Sequence, residues 1–281
     1  MIDNEPINRL DGGLRARGNC SRSNSQKPLV TVVTVVLNGR DFLEKTIQSV
    51  LGQTYENVEY IVIDGGSTDG TLDIVKKYDD RMDYWLSEPD KGIYDAMNKG
   101  TELASGEWIN FMNAGDWFHE DGVISRVFAQ DRSRCDLIYG NHEVSYGGRF
   151  SKILKAGHVE ELWKGMNCCH QSVFTRTSLV SENGFNIENT ISADFELIYR
   201  LKNDGRRFVY TDETVATVQA GGLSDIERLN SIKSHWKVVS VYGGSSKVTI
   251  YYLCKIAVSA VRATIKKILP QGVIDLITRL K

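Results

Sequence analysis

The chain has 281 residues, 41% of them hydrophobic, enough to bury one sizeable core and form one or two domains. A formal net charge of -2 leaves no basic excess for nucleic acid. Five cysteines (Cys20, Cys135, Cys168, Cys169, Cys254) show no Cys-x-x-Cys spacing, so they outline neither a zinc site nor a disulfide framework and suit a reducing, cytoplasmic setting.

Residues 1–27 are polar, rich in Arg, Asn, Ser and Gly, and lack the apolar run of a secretory signal; they read as a flexible leader that Pro28 ends. Residues 30–37 are a β-branched run that predicts a strand, and within 41–51 Leu43, Ile47, Val50 and Leu51 recur at helical spacing. The strand pattern returns at 59–63, DGGSTDG breaks it, and a helix is expected over 71–78 with Asp69 placed to cap it. Two successive β-loop-α units predict a parallel, doubly wound sheet. In the third unit Ile93, Ala96, Met97, Gly100, Leu103 and Ala104 share one helix face, and 108–112 supplies a strand that ends at Asn113, Ala114, Gly115 and Asp116. Ligands in open α/β sheets sit outside the carboxyl ends of the strands, so Asp64, Gly65 and Asp116 are expected to converge on one crevice.

Residues 87–116, SEPDKGIYDAMNKGTELASGEWINFMNAGD, taken with 31–71, TVVTVVLNGRDFLEKTIQSVLGQTYENVEYIVIDGGSTDGT, resemble the inverting nucleotide-sugar glycosyltransferases of family 2. The resemblance extends over residues 30–224 and rests on several motifs in order at compatible spacing. It implies an α/β fold that is GT-A-like (Rossmann-like), with a mixed, mainly parallel sheet flanked by helices over 28–224 and a C-terminal helical tail. It also implies transfer of a sugar from a nucleotide-diphosphate sugar to a hydroxyl of a glycan. The DGGSTDGT and NAGD motifs are those of bacterial surface-polysaccharide members, which makes a lipid-linked glycan the expected acceptor.

By the same resemblance, base and ribose meet the end of the first strand and the loop after the second, at Thr34, Val35, Asn38, Asp64 and Gly65. Many relatives carry a second acid where Gly65 stands, so the base contact differs here and a preference for uridine does not carry over. Asp90 and Lys91 offer polar contacts to diphosphate or sugar, or else form a solvated loop; Asn113 adds to the donor side. Asp116 matches the last acid of the family's DxD or xDD motif, which holds Mn²⁺ or Mg²⁺ against the diphosphate. Gly115 stands where a further acid is common, so the metal rests on one carboxylate; the other reading of Asp116 is a cap on the following turn. Asp194 takes the catalytic-base position at the start of a helix whose inner face is Phe195, Ile198 and Leu201, with Ala193 replacing the commoner Glu. Its alternative is an acid favoured by the helix dipole. His170 and Gln171 fall on the acceptor or phosphate side, unless His170 is a hydrogen-bonded structural residue. Residues 221–224 resemble a segment that closes over the donor, or a static turn. Trp85, Trp108, Trp117 and Trp163 are sugar platform or core.

Residues 225–281 hold ten Lys/Arg against three Asp/Glu, a net +7, and form a basic helical extension in this reading. Over 248–269, at ~100° per residue, Lys255, Arg262 and Lys266 fall in one arc opposite Leu253, Ala257, Ala260, Val261 and Ile268. No run reaches ~18 uninterrupted apolar residues, so the expectation is peripheral contact with the inner face of the plasma membrane, or packing on the catalytic domain or a second copy in a homo-oligomer. Two other classes compete with this reading. A sugar nucleotidyltransferase usually has a Gly-rich, basic first turn, which Leu37, Asn38, Gly39, Arg40 and Asp41 do not provide. A catalytically silent nucleotide or carbohydrate binder is suggested by Gly65, Gly115 and Ala193, and opposed by Asp116 and Asp194.

Overall fold

A computed structural model describes residues 9–19, 27–222, 227–269 and 273. The first part runs β1 (Leu10–Gly12), β2 (Val30–Val36), α1 (Arg40–Leu51), β3 (Val58–Asp64), α2 (Thr71–Lys77), β4 (Tyr84–Ser87), α3 (Ile93–Leu103) and β5 (Trp108–Phe111). Then follow β6 (Trp117–Phe118), α4 (Val123–Val127), β7 (Leu137–Ser145), β8 (Ser151–Leu154), β9 (Val173–Arg176) and α5 (Thr177–Asn183). The chain continues through α6 (Ala193–Asn203), β10 (Phe208–Gln219), α7 (Arg228–Gly243) and α8 (Ser246–Ile268).

The sheet order is β1-β4-β3-β2-β5-β9-β7-β10-β6, with β8 on β7. β4, β3, β2 and β5 are parallel neighbours, β9 joins β5 and β7 antiparallel, and β10 runs parallel to β7. The sheet is therefore mixed, and its doubly wound part lies in the first three β-loop-α units. β2 and nearly all of β3 are buried, because helices cover both faces of these central strands. One core lies under α3, α5 and α6, the other under α1 and α2.

Part of the expected leader is built into the fold. β1 adds to the edge of the sheet against β4, and the Arg15 guanidinium reaches Glu59, 3.3 Å away, and the Leu103 carbonyl, 2.8 Å away. Glu59 is wholly buried in β3, where it also accepts from Thr31 and Ser105. A buried carboxylate needs a countercharge, and the polar leader provides one. Its remaining residues, 1–8 and 20–26, lie outside the described residues.

On α3 the expected face is inward at Ala96, Met97 and Gly100, with Leu103 and Ala104 packed against the core, but not at Ile93: Ile93 is exposed and Tyr94 is buried, stacked on Phe185 at 5.9 Å. His170 and Gln171 form a 3-10 turn (His170–Ser172) that leads directly into β9. Trp85 and Trp108 are core residues, and Trp117 lies under the Lys45 ammonium, which leaves no platform from these three.

The C-terminal extension is more than an appendage. Ile232, Val238, Val239, Val248 and Tyr252 join the same core as Phe195, and His235 packs on the Phe195 ring at 4.2 Å. Lys255 is half-buried and donates to the Lys164 carbonyl, so it does not belong to a solvent-facing arc; the Lys266 side chain lies outside the described residues. Residues 246–265 are, by length and composition, long and apolar enough to cross a membrane although Lys247, Lys255 and Arg262 interrupt the run.

Burial holds the His235 pKa down to about 4, with Asp194 pulling it up and Lys255 pushing it down. The unfolded chain then binds more protons than the native one between about pH 4 and the ordinary value of 6.5, so stability falls as pH drops through that window. The melting temperature of the wild type should fall by roughly 3–6 °C more than that of His235→Gln between pH 7 and pH 4.5. Parallel melting curves in differential scanning calorimetry would refute this.

Candidate active site

The carboxyl ends of β2, β3 and β4 are stitched together by their loops. Asn38, in a left-handed conformation at φ 50°, donates its N–H to Ser67 Oγ at 2.7 Å and accepts from the Thr68 N–H at 2.9 Å. Asp69 accepts from the N–H groups of Arg40 and Thr71, so one carboxylate serves the starts of both α1 and α2, and the expected cap is present. Asp64 is fully buried and accepts from the Ser67 N–H at 3.1 Å and from Ser87 Oγ at 2.6 Å. Thr34 donates to the Met112 carbonyl, and Val35 is in the core. Their side chains face inward, which leaves Asn38 as the polar side chain of this segment on the crevice.

Asp116 and Asp194, 78 positions apart, are linked by two neighbouring side chains. Gln171 donates through Nε2 to Asp116 Oδ2 at 2.5 Å, while His170 Nδ1 lies 3.2 Å from Asp194 Oδ2. The Cys169 thiol fixes the Gln171 amide by donating to its Oε1 at 2.6 Å; burial first, then Asp116, raises that thiol's pKa well above its usual range and keeps it protonated. Asn113 Nδ2 meets His170 Nε2 at 3.0 Å. With that amide donating, the imidazole carries its hydrogen on Nδ1 and gives it to Asp194, while Asn113 Oδ1 is buried without a hydrogen-bond partner among the described residues.

The two carboxylates are tuned apart. Burial pushes Asp116 up to about 6, against the Gln219 N–H at 3.1 Å, the nearby His170 and the Gln171 amide. Burial also acts upward on Asp194, but His170, the Phe195 N–H and the Tyr94 hydroxyl outweigh it and hold the pKa below the ordinary carboxylate value. Tyr94 OH donates to Asp194 Oδ1 at 2.9 Å. Asp194 is thus an ionised acceptor at neutral pH, placed at the first turn of α6 where the backbone dipole favours its charge.

Among the described residues no group of three His, Cys, Asp or Glu is arranged to hold an ion, and no Lys or Arg pairs with Asp116. A single carboxylate whose charge is disfavoured by burial does fit a divalent cation that takes its other ligands from phosphate and water. Asp90 and Lys91 lie on the loop after β4; the Lys91 N–H donates to Asp95, and its side chain is exposed. Of residues 221–224, only Gly221 and Gly222 fall within the described residues.

Sequence reasoning missed Tyr94, Cys169 and Gln219. Tyr94 is separated by three and seven positions from Met97 and Thr101, both buried, a spacing that marks the true inner face of α3. Gln219 contributes only its N–H, and backbone contacts leave no signature in a sequence.

A crevice at the carboxyl edge of a mixed α/β sheet, with two carboxylates of different acidity on its wall, is an arrangement for acid–base group transfer. Residues 31–182 match the sequence profile of glycosyl transferase family 2, and the chain belongs to that family. A PGL/p-HBAD biosynthesis glycosyltransferase of Mycobacterium bovis BCG is 31% identical over 211 residues, 70% of this chain and 80% of that protein. A putative teichuronic acid biosynthesis glycosyltransferase of Bacillus subtilis is 38% identical over 111 residues, 38% of this chain and 44% of that protein. In fold, the chain resembles Staphylococcus aureus TarS 1-349 in complex with UDP-GlcNAc (TM-score 0.61, 15% identity, 82% of this chain and 71% of that one). It also resembles the mannosyltransferase PcManGT of Pyrobaculum calidifontis in complex with GDP-Man and Mn²⁺ (TM-score 0.61, 14% identity, 93% and 81%). The fold is GT-A-like and the protein is a glycosyltransferase.

Tyr94→Phe keeps the ring against Phe185 and removes one hydrogen bond from Asp194. It should lower kcat about tenfold, the value of one charge-assisted hydrogen bond, with KM for the donor unchanged. A shift carried by KM alone would take Tyr94 out of the catalytic arrangement.

Proposed function

We propose that the protein moves a sugar from a nucleotide-diphosphate sugar to a hydroxyl of a glycan acceptor with inversion at the anomeric carbon, in the assembly of a bacterial surface polysaccharide. The observation that carries this reading is the bridge from Asp116 through Gln171 and His170 to Asp194, which brings the two chemically distinct carboxylates into one crevice. Asp194 accepts the proton of the attacking hydroxyl, and Tyr94 and His170 hold its oxygens in place. Attack opposite the leaving diphosphate in a single displacement inverts the configuration. Asn38, Asp64, Gly65, Asp90, Lys91 and Asn113 form the donor side, Thr34 and Val35 shape it through the β2 backbone, and His170 and Gln171 stand between donor and acceptor. Asp116 is the residue that would hold Mn²⁺ or Mg²⁺, whose contribution when bound is to offset the charge growing on the diphosphate. The two fold neighbours, one in complex with UDP-GlcNAc and one with GDP-Man and Mn²⁺, support a nucleotide-sugar donor and a divalent cation. The relatives named for PGL/p-HBAD and teichuronic acid biosynthesis support the surface-polysaccharide setting.

Asp116→Asn should abolish Mn²⁺-dependent binding of the donor nucleotide, because no neighbouring acid replaces its charge. Asp194→Asn should bind donor normally and transfer at least ~100-fold more slowly, the scale of general-base catalysis. Isothermal calorimetry and a turnover assay on the two variants separate the roles; interchangeable phenotypes would undo the assignment.

The lipid-linked acceptor is supported by α8, which puts the enzyme on the inner face of the plasma membrane in this reading. Val248, Tyr252 and Ser259 pack on the domain, while Ile250, Leu253, Val261, Ile265 and Ile268 form an exposed apolar stripe on the opposite side. Arg262 is exposed beside the stripe, and a cation near an anionic surface contributes about 1 kcal/mol. The wild type should float with anionic vesicles, and Leu253→Glu/Val261→Glu should not, although both melt at the same temperature. A folded double variant that still floats would assign the stripe to contact between copies of the chain.

A further inference from the structure

The loops after β3 and β4 meet face to face over the ends of those strands. Gly65 donates its N–H to the Val36 carbonyl at 2.9 Å, and the Glu88 N–H donates to the Asp64 carbonyl at 3.0 Å, so the two loops are tied to β2 and to each other. A β-carbon on residue 65 would stand 2.3 Å from Asp90 Oδ2 and 2.9 Å from its carboxyl carbon. The Asp90 carboxylate therefore fills the space that a side chain at 65 would take. It is fixed there by the Gly92 N–H, which donates to Oδ1 at 2.8 Å. Oδ2 has no hydrogen-bond partner among the described residues, and the nearby Lys99 ammonium is held instead by Glu88 and the Pro89 carbonyl, each at 2.8 Å.

We propose that Asp90 is the residue that selects the donor's base, with Oδ2 accepting a ring N–H, and that Gly65 is small so that Asp90 can occupy this place. The inference rests on the reading of Asp116 as the diphosphate end of the donor site. Strands lie ~4.8 Å apart, and β5, whose end leads through residues 112–115 to Asp116, is separated by two strand spacings from β3 and by three from β4. The Gly65–Asp90 contact thus lies roughly 10–14 Å along the sheet edge from the end of β5, on the side away from the Gln219 end of β10 that holds Asp116, where the nucleoside of an extended donor falls. The charge agrees with that end of the ligand. Asp64 lies beneath Asp90, and burial first, then the Asp64 and Asp95 charges, act to raise the Asp90 pKa against the Gly92 N–H and Lys99. Two acids repel a diphosphate and accept from a base. Asp64 has already committed its carboxylate to Ser67 and Ser87, which leaves the free oxygen of Asp90 for the ligand.

Calorimetric titration of the full chain with UDP, GDP, dTDP and CDP in the presence of Mn²⁺ tests this, with a melting curve for each variant. The wild type should prefer one base. Asp90→Ala should weaken that nucleotide at least tenfold and flatten the ranking of the four, and Asp90→Asn should change the ranking. Gly65→Asp should lose binding, since its β-carbon meets the Asp90 carboxylate, and Gly65→Asp/Asp90→Gly should regain it by returning one acid to the same space. An unchanged ranking in folded Asp90→Ala overturns the proposal while leaving the glycosyl-transfer reading intact. Failure of the wild type to bind any of the four nucleotides overturns both.

Discussion

Two adjacent side chains, His170 and Gln171, hold Asp194 and Asp116, and the geometry of the crevice depends on that bridge. Two carboxylates brought into a partly buried space repel each other and lose solvation, so each needs hydrogen-bond donors to remain in place. The chain gives Asp194 an imidazole, a phenol and the Phe195 N–H in the first turn of a helix, and gives Asp116 an amide and one backbone N–H. The unequal provision separates their acidities: one is a stable anion that can receive a proton, the other a carboxylate whose charge gains most from a cation. Because the donors come from consecutive residues of one turn, the distance between the carboxylates is set by that turn rather than by loop mobility.

The bridge in turn relies on elements that reach it from far along the chain. Tyr94 comes from α3, Gln219 from the end of β10, and Asn113 from the end of β5. α7 lies against α6, with His235 on Phe195, the residue next to Asp194. The C-terminal helices consequently support Asp194 from behind while turning an apolar stripe away from the domain. An extension that packs behind Asp194 through α7 and, as proposed, meets lipid through α8 would couple acceptor location to the geometry of the crevice, which is the reason to read it as part of the enzyme.

Much of this was legible in the sequence. The alternation of β-branched runs with amphipathic spacing located β2, β3 and β5 and the helices α1 to α3 to within a residue or two, because the strands are covered on both faces and the helices carry one clear apolar face; the four-residue β4 was not singled out. Asp116, Asp194, His170 and Gln171 were all singled out, but nothing in their spacing says that the last two link the first two; that follows from β9 lying beside β5. The leader misled because its order comes from one arginine reaching a buried glutamate and from strand addition at an edge, neither of which needs an apolar composition. On α3 only the first position was misassigned, because Ile93 is the more apolar of two neighbours, while Tyr94 gains both a ring stack and a carboxylate partner inside.

The acids that this chain lacks have local physical replacements, which bears on whether the site is active or silent. A side chain at Gly65 would meet the carboxylate of Asp90, so an acid of the neighbouring loop stands in the space that a second aspartate would enter. Gly115 has φ +99°, a conformation that an aspartate would adopt only with strain, and this backbone carries Asp116 toward Gln171 and Gln219. Ala193 is buried in the core with Phe195, where a glutamate would be an unpaired charge. A site drifting toward inactivity would lose groups without accommodation around them. Here each substitution is matched by the packing of its surroundings, and the two carboxylates with separable chemistry are retained.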